Sequence, residues 1–275
     1  MDNKLNLSRN NTNLKDNQIS NSINFNSNPK EIHFLKDLVK DSYARSILDN
    51  TFIIFKSKNE ILYLIYTNID NSIVSYNIID NKIMIEIKNA HYDNIINFRY
   101  YFDKIKNDDL IISISIDNDI KLWNINNWDN FCNLKNIYKS GKIFSACFLN
   151  NNNQNYILTS NCNLKGTCES IKVFDFKGNK IKTINDSNNN TYFIDCYYDK
   201  KESKNYIITG NIGYIKSYDY TNNKIYHLYK DKKDGDNHNI THNSLIINDK
   251  EEIIKIIDSC QDGNIRIWIF IQEIY

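Results

Sequence analysis

The sequence predicts an all-β protein assembled from about five similar four-stranded antiparallel sheets. Short apolar runs of about four to eight residues alternate with clusters of Asn, Asp and Lys, which is the pattern of half-buried strands joined by turns. Ile, Tyr and Phe are abundant, and all three favour strands. Five segments repeat the order apolar, Lys/Arg/Val, any residue, aromatic. Their aromatic residues are separated by 47, 51, 44 and 50 positions: Tyr76, Trp123, Phe174, Tyr218 and Trp268.

The amino-terminal region differs from the rest in composition. Residues 1–28 are dominated by Asn, Ser, Lys and Asp and contain too little apolar surface to offset the entropy lost on ordering. We therefore predict a disordered polar tail over 1–28 and a folded repeat domain over 29–275. The segment KEIHFLKDL, residues 30–38, opens that domain and is predicted to be a single strand that precedes the first full repeat.

Each repeat is predicted to contain four strands, here called a to d. The aromatic residue lies on strand c. In most repeats strand c follows a strand that ends in Ser, Thr or Asn, as in LIYTN, ISIS, ILTS and IIDSC. A polar turn and a further strand usually come next, as in NKIMIEI, NKIKTI and NKIYHLY.

The turns between strands b and c have a recognisable chemistry. Asp262-Gly263 suits a tight hairpin turn, because glycine adopts positive φ without steric cost. Asp70-Asn71 and Asp117-Asn118 stand at the corresponding places in the first two repeats. Asn tolerates the left-handed region better than other non-glycine residues, so a chain with only 7 glycines can still form these turns.

Composition argues against several classes of protein. The net charge is +1 with Lys and Asp interleaved, so no basic stripe indicates a nucleic-acid partner. No apolar run is long enough to cross a membrane, and the first residues lack a signal-peptide core, which favours a cytoplasmic protein without membrane insertion. None of the six cysteines forms a CxxC pair, and we predict free, mostly buried thiols: Cys132, Cys147, Cys162, Cys168, Cys196 and Cys260.

Residues 90–125 resemble the WD40 repeat, a unit of about 40–45 residues that forms one four-stranded blade of a β-propeller. His91 stands where the family has the His of its Gly-His pair, although Ala90 replaces the Gly. Ser115, Asp117 and Trp123 match the family's Ser, Asp and Trp. The resemblance implies that these four side chains form a hydrogen-bonded relay within the blade. The chemistry suits that role, because a buried indole N–H needs an acceptor and a hydroxyl can link it to an imidazole.

The other repeats match the family less completely. The last one keeps Asp262 and Trp268 as relay residues, but Cys260 stands where Ser is expected. The third and fourth repeats have no Asp six residues before their aromatic residue. The resemblance covers roughly residues 30–275 and depends on the regular spacing more than on any single motif.

The resemblance also implies how the ring closes. The last repeat supplies strands a to c, and only QEIY follows its final predicted strand. In WD40 proteins one terminus commonly donates the outer strand of the blade formed by the other terminus. We therefore expect Ile32, Phe34 and Leu35 to pack beside the strand of Trp268, which gives a five-bladed propeller. The alternative is a part of a seven-bladed propeller.

Motifs for catalysis or metal binding are weak. A Ser-His-Asp set could suggest hydrolysis, but the relay accounts for those residues and no nucleophile-elbow sequence is present. His238 and His242 have ligand spacing in a predicted polar loop, and the acidic loop 231–239 lacks the distal Glu of a calcium site. We therefore expect neither a metal nor a cofactor, and a protein that is not an enzyme.

The function that these observations favour is a non-catalytic scaffold that binds other proteins. A rigid propeller supports variable loops, and loops carry recognition. In the family, partners often dock on the face that bears the d–a and b–c loops. Two alternatives stay open, namely a propeller enzyme with a site in the central channel and an incomplete propeller completed by a partner chain. The predicted partner-binding positions are Ile69, Tyr92, Asp93, Ile116 and Gln261.

Overall fold

The regular structure of the described chain consists entirely of β-strands. The computed structural model describes residues 51–68, 70–163, 169–184, 191–199, 202–211, 214–230, 240–247, 253–260 and 265–269. They form five antiparallel sheets, four with four strands and one with three, in chain order. The all-β prediction is confirmed over these residues. The predicted tail, 1–28, and the predicted strand 30–38 lie outside them.

The strands of the first three sheets follow the predicted repeats. The first sheet contains β1 (Phe52–Lys56), β2 (Leu62–Thr67), β3 (Ile73–Asn77) and β4 (Lys82–Ile87). The second contains β5 (Ile95–Asp103), β6 (Asp108–Ser115), β7 (Ile120–Asn124) and β8 (Asp129–Leu134). The third contains β9 (Lys142–Asn151), β10 (Gln154–Cys162), β11 (Ile171–Asp175) and β12 (Lys180–Ile184).

The last two sheets continue the series. The fourth contains β13 (Thr191–Asp199), β14 (Lys204–Asn211), β15 (Tyr214–Asp219) and β16 (Lys224–Tyr229). The fifth contains β17 (Ile240–Ile247), β18 (Ile253–Cys260) and β19 (Ile265–Ile269). In every sheet, strands that are consecutive in sequence are neighbours in space.

The strand register shows that the five repeats are structurally equivalent. The aromatic residue of each third strand lies directly opposite an aliphatic residue of the second strand. The five pairs are Tyr76 with Leu64, Trp123 with Ile111, Phe174 with Ile157, Tyr218 with Ile207 and Trp268 with Ile256. The spacing of aromatic residues in the sequence therefore reports a repeated position in the fold.

Asparagine residues form the tight turns, as the sequence predicts. Asn71 and Asn118 have φ values of 61° and 67°, in the left-handed region. The Asp side chain before each of them accepts a turn N–H: Asp70 from Ser72 and Asp117 from Asp119. The Asp262-Gly263 turn lies outside the described residues.

Neighbouring sheets pack through their first strands, which we call the inner strands: β1, β5, β9, β13 and β17. Contacts run from β1 to β5, from β5 to β9, from β9 to β13 and from β13 to β17. Stacked rings join the first three, with centroids 4.1 Å apart for Phe55 and Tyr100 and 4.8 Å apart for Tyr101 and Phe148. Apolar residues between the sheets form four buried clusters, so each sheet shares a core with its neighbour.

One contact joins inner strands that are not consecutive. The guanidinium of Arg99, on β5, lies over the ring of Phe193, on β13, with its carbon 4.7 Å from the ring centroid. Strand β9 comes between these two in chain order. The inner strands of the second, third and fourth sheets therefore converge.

The fifth sheet differs from the others at its outer edge. No further strand pairs with β19 among the described residues. On that strand Ile265, Ile267 and Ile269 are 72%, 59% and 69% exposed. The strand predicted to cover this edge, residues 30–38, lies outside the described part of the chain.

Candidate functional site

A buried hydroxyl links two side chains of the second sheet. His91 lies in the loop before β5, and its Nε2 is 2.7 Å from the Oγ of Ser113 on β6. Trp123, on β7, donates its indole N–H to the same oxygen at 2.9 Å. All three residues are at most 5% exposed. The loop is thereby connected to the two central strands of its own sheet.

Asp117 connects this loop to the β6–β7 turn. Its Oδ2 accepts the N–H of Tyr92 at 3.0 Å and lies 3.6 Å from Nδ1 of His91, which is an ion-pair distance rather than a hydrogen bond. Burial alone would raise the pKa of the Asp117 carboxyl. The interaction with His91 and the hydrogen bond from the Asp119 N–H outweigh it and hold that pKa well below its usual value. The carboxylate therefore stays ionised at neutral pH.

The hydroxyl in this relay is a correction to the sequence analysis, which assigned it to Ser115. Ser115 instead donates to the backbone oxygen of Asp93 at 2.8 Å and accepts the N–H of Asp117. Both serines lie on β6 two positions apart, so they share one face of the sheet. Ser113 is the one close enough to both His91 and Trp123.

The position ten residues before the tryptophan of the third strand identifies the residue that accepts the indole N–H. Ser113 precedes Trp123 by ten positions, and Asp258 precedes Trp268 by the same number. The indole N–H of Trp268 donates to Oδ2 of Asp258, a fully buried residue. Arg266 contributes a second charge, with Nη1 3.8 Å from Oδ1 of Asp258. Asp262, the predicted relay residue of this sheet, lies outside the described residues.

Replacing Ser113 with alanine is expected to lower the free energy of unfolding by about 2 kcal/mol, because the buried imidazole and indole both lose their partner. Ser115→Ala is expected to cost about 1 kcal/mol or less, since its partners lie nearer to solvent. Ser113→Thr is the matched control, because Thr159 and Thr209 occupy the equivalent position in the next two sheets. Urea denaturation compares the three variants. A larger loss for Ser115→Ala than for Ser113→Ala would contradict the assignment.

In the third sheet, different residues connect the loop before the first strand to the second strand. Tyr138, in the loop before β9, lies where His91 lies in the second sheet. Its hydroxyl donates to the backbone oxygen of Thr159 at 2.7 Å and lies 2.9 Å from the Thr159 hydroxyl. Tyr138 is 6% exposed, and burial raises the pKa of its hydroxyl far above the usual value. A residue type that differs from the family pattern therefore fills the same position.

The lysine of the repeated motif also has a structural role. Lys121 donates from Nζ to the backbone oxygen of Ala90, the residue before His91. Lys172, at the equivalent position of the third sheet, donates to the backbone oxygen of Ile137, the residue before Tyr138. In both sheets the third strand thus holds the loop that leads into the first strand.

The predicted partner-binding residues that the structure describes lie together. The loop of residues 90–94 and the β6–β7 turn are joined by hydrogen bonds from Tyr92 N–H to Asp117 and from Ile116 N–H to the oxygen of Asn94. Tyr92 is 95% exposed, whereas Asp93 and Ile116 are partly buried. The other two predicted positions, Ile69 and Gln261, lie outside the described residues.

The inner strands carry a second group of reactive side chains. Arg99, Cys147 and Asp195 occupy the same position on β5, β9 and β13, each one residue before the residue that faces the aligned Ile. The Nε and Nη2 atoms of Arg99 are buried and make no hydrogen bond to the described residues. Burial raises the pKa of the Asp195 carboxyl, and the charge of Arg99 opposes that rise. Charged groups are therefore present where the inner strands converge.

A crevice of about 250 Å³ lies at the opposite ends of the strands of the second sheet. Apolar and polar side chains line it, and three of the polar ones are carboxylates. Within the described ranges, no group of three or more His, Cys, Asp or Glu side chains is placed to hold a metal ion. The lining residues of the crevice are Leu110, Phe131, Phe176, Asp103, Asp108, Asp129, Lys106, Asn124 and Asn127.

The weak metal motifs of the sequence are only partly visible. His242 lies on β17 rather than in a loop, which corrects the sequence interpretation of its surroundings. His238 and the acidic loop 231–239 lie outside the described residues. In the described part of the chain, no helix is long and apolar enough to cross a membrane.

Comparison with known proteins gives no assignment. No protein-family model matches the chain, and no curated protein matches it.

Proposed function

We propose that this protein is a non-catalytic β-propeller of the WD40 type that binds other proteins through the loop of residues 90–94 and the adjoining β6–β7 turn. The observation that carries the proposal is the contrast within this loop. Its backbone is held by Asp117, Ser115 and Lys121, yet the ring of Tyr92 is 95% exposed. A fixed loop that presents a free aromatic ring is suited to binding.

The energetic argument concerns preorganisation. Binding costs free energy when side chains and loops become ordered, and a loop that is already fixed avoids much of that cost. Tyrosine contributes a large contact area with few rotatable bonds and is common among the residues that dominate binding energy. A lone exposed aromatic ring is ordinary on a protein surface, but one on a loop anchored by buried polar groups is not.

Three features of the structure support the propeller. The five sheets share the order and register of their first three strands, and their inner strands contact one another in chain order. The contact of Arg99 with Phe193 brings non-consecutive inner strands together, as a radial arrangement requires. We propose that residues 30–38, which lie outside the described residues, supply the strand that covers the edge of β19. A larger propeller or a partner chain that pairs with β19 is the alternative.

Replacing Tyr92 with alanine is expected to leave stability within about 0.5 kcal/mol of wild type, since the ring is exposed. It is expected to weaken partner binding about tenfold or more, as loss of a dominant contact does. Crosslinking and quantitative mass spectrometry in the native cell compare the proteins recovered with each variant. Tyr198→Ala is the control, because Tyr198 is 48% exposed on β13, away from this loop. Equal recovery of every partner by both variants would contradict the proposal.

The inner strands favour a second candidate function. Arg99, whose Nε and Nη2 atoms are buried, and Asp195 are a cation and a carboxyl group at equivalent positions, which is what a ligand site or a catalytic site in a central channel needs. A small molecule that stabilises the wild-type protein but not Arg99→Met would favour this second function.

A further inference from the structure

Two cysteines from neighbouring sheets lie in direct contact. The Sγ atoms of Cys147, on β9, and Cys196, on β13, are 3.2 Å apart, and both thiols are free. Cys147 is 2% exposed and Cys196 is partly buried. Both belong to the apolar cluster between the third and fourth sheets. We propose that these two thiols form a disulfide that covalently joins the third and fourth sheets under oxidising conditions.

The backbone holds the pair in register. Strand β13 follows β9 residue by residue near the cysteines. The N–H of Ile194 donates to the Oγ of Ser145 at 3.3 Å, two positions before each thiol on its own strand. The rings of Phe144 and Tyr192 meet edge to face at 5.6 Å, further towards the start of both strands. The thiols are therefore brought together by contacts along both strands rather than by a flexible loop.

The remaining movement is small. A disulfide has an S–S distance of about 2.05 Å, so the sulfur atoms need to approach by a little more than 1 Å. A change of side-chain torsion on either cysteine supplies a shift of that size.

The environment keeps the reduced pair stable until an oxidant arrives. Burial, the neighbouring thiol and the adjacent Asp195 carboxyl all raise the pKa of Cys196. The thiolate is the reactive form, so a thiol with a raised pKa reacts slowly at neutral pH. A disulfide that forms slowly accumulates only during prolonged exposure to an oxidant. It is not suited to a catalytic cycle, which requires rapid formation and reduction.

The oxidant is a low-molecular-weight disulfide such as oxidised glutathione. The Cys196 thiol, the more exposed of the two, attacks one sulfur of the oxidant, which forms a mixed disulfide and releases one glutathione thiol. Cys147 then attacks the Cys196 sulfur and displaces the second glutathione. Two protein thiols are oxidised to one disulfide, one molecule of oxidised glutathione is reduced to two thiols, and the two protein protons end on those thiols.

The bond would add a covalent link between sheets. It closes a loop that runs from residue 147 to residue 196. The closed loop lowers the conformational entropy of the unfolded chain and so stabilises the folded protein. We expect the thermal midpoint of the oxidised protein to rise by roughly 5–10 °C relative to the reduced protein. The proposal is independent of any binding function of Tyr92, because the thiols lie in the core between two other sheets.

The test treats the folded full-length protein with oxidised glutathione, blocks free thiols with iodoacetamide and digests with chymotrypsin. Phe148 and Tyr156 lie between Cys147 and Cys162, so digestion separates these two cysteines. We expect a crosslinked peptide pair containing Cys147 and Cys196, together with the rise in thermal midpoint. Cys147→Ser and Cys196→Ser are expected to lose both effects. Cys132→Ser is the matched control, since Cys132 is a buried thiol of another sheet, and it should retain both.

Several outcomes would overturn the proposal. Alkylation of both thiols after prolonged oxidation would show that no bond forms in the folded protein. A stable glutathione adduct on Cys196 would show that Cys147 is out of reach. Refolding the denatured protein in a glutathione redox buffer exposes both thiols to glutathione before they are buried. A cysteine pairing other than Cys147 with Cys196 in the refolded protein would contradict the proposal.

Discussion

Replacing Trp123 with alanine is expected to lower the free energy of unfolding by about 3–5 kcal/mol, as large truncations in a protein core do. Trp123 is 5% exposed and packs in the buried cluster between the first and second sheets, with Phe98 and Ile111. Its removal also leaves the Ser113 hydroxyl without the indole donor. The cavity and the lost hydrogen bond act in the same direction.

Urea denaturation followed by circular dichroism measures this loss. Trp128→Ala is the matched control, because Trp128 is only half-buried at the edge of the same cluster, so its truncation is expected to cost clearly less. A loss below 1 kcal/mol for Trp123→Ala would show that this residue is not central to the second sheet.

Deleting residues 1–28 is expected to leave the thermal midpoint unchanged, whereas deleting residues 1–40 is expected to destabilise the protein strongly. The shorter deletion removes only the polar tail. The longer one also removes Ile32, Phe34 and Leu35, which we propose to pack beside β19. Each large apolar side chain that loses its burial forfeits roughly 1.5–3 kcal/mol. The exposed isoleucines of β19 would then form an uncovered edge that favours aggregation.

Thermal unfolding and size-exclusion chromatography with light scattering compare the two deletions. A monomeric wild-type protein, a monomeric protein lacking 1–28 and an associating protein lacking 1–40 would agree with closure by the strand 30–38. Equal stability of both deletions would reject that closure. Association of the wild-type protein would instead favour an edge completed by a second chain.

The strands and turns could be predicted from the sequence because they depend on the residue types within a short segment. Alternating apolar residues place one side of a strand in the core, and Asn at positive φ needs only a tight turn, as at Asn71 and Asn118. The equivalence of the five aromatic residues followed from their spacing. The strands and turns are decided within a few residues of the chain, and the repeat is visible because the same short pattern returns five times.

The side-chain contacts of the site were harder to predict from the sequence. They depend on distances between strands and loops that are far apart in the chain. Ser113 and Ser115 lie on the same face of β6. The two-residue periodicity of a strand therefore cannot show which of them contacts His91. Tyr138 takes the place of a histidine that the family pattern requires. The contact of Cys147 with Cys196 depends on how two sheets are aligned, and residues 49 positions apart carry no local signal of it.

In the second and third sheets, a lysine of the third strand holds the loop that precedes the first strand, and this contact marks where one module begins. Lys121 holds Ala90, and Lys172 holds Ile137, so each loop belongs energetically with the strands that follow it in the chain. A protein engineer who transplants one unit of this protein would therefore cut ahead of Ala90 and end after Leu134. A segment cut at Ile95 would separate Lys121 from the loop that it holds and would omit the exposed Tyr92.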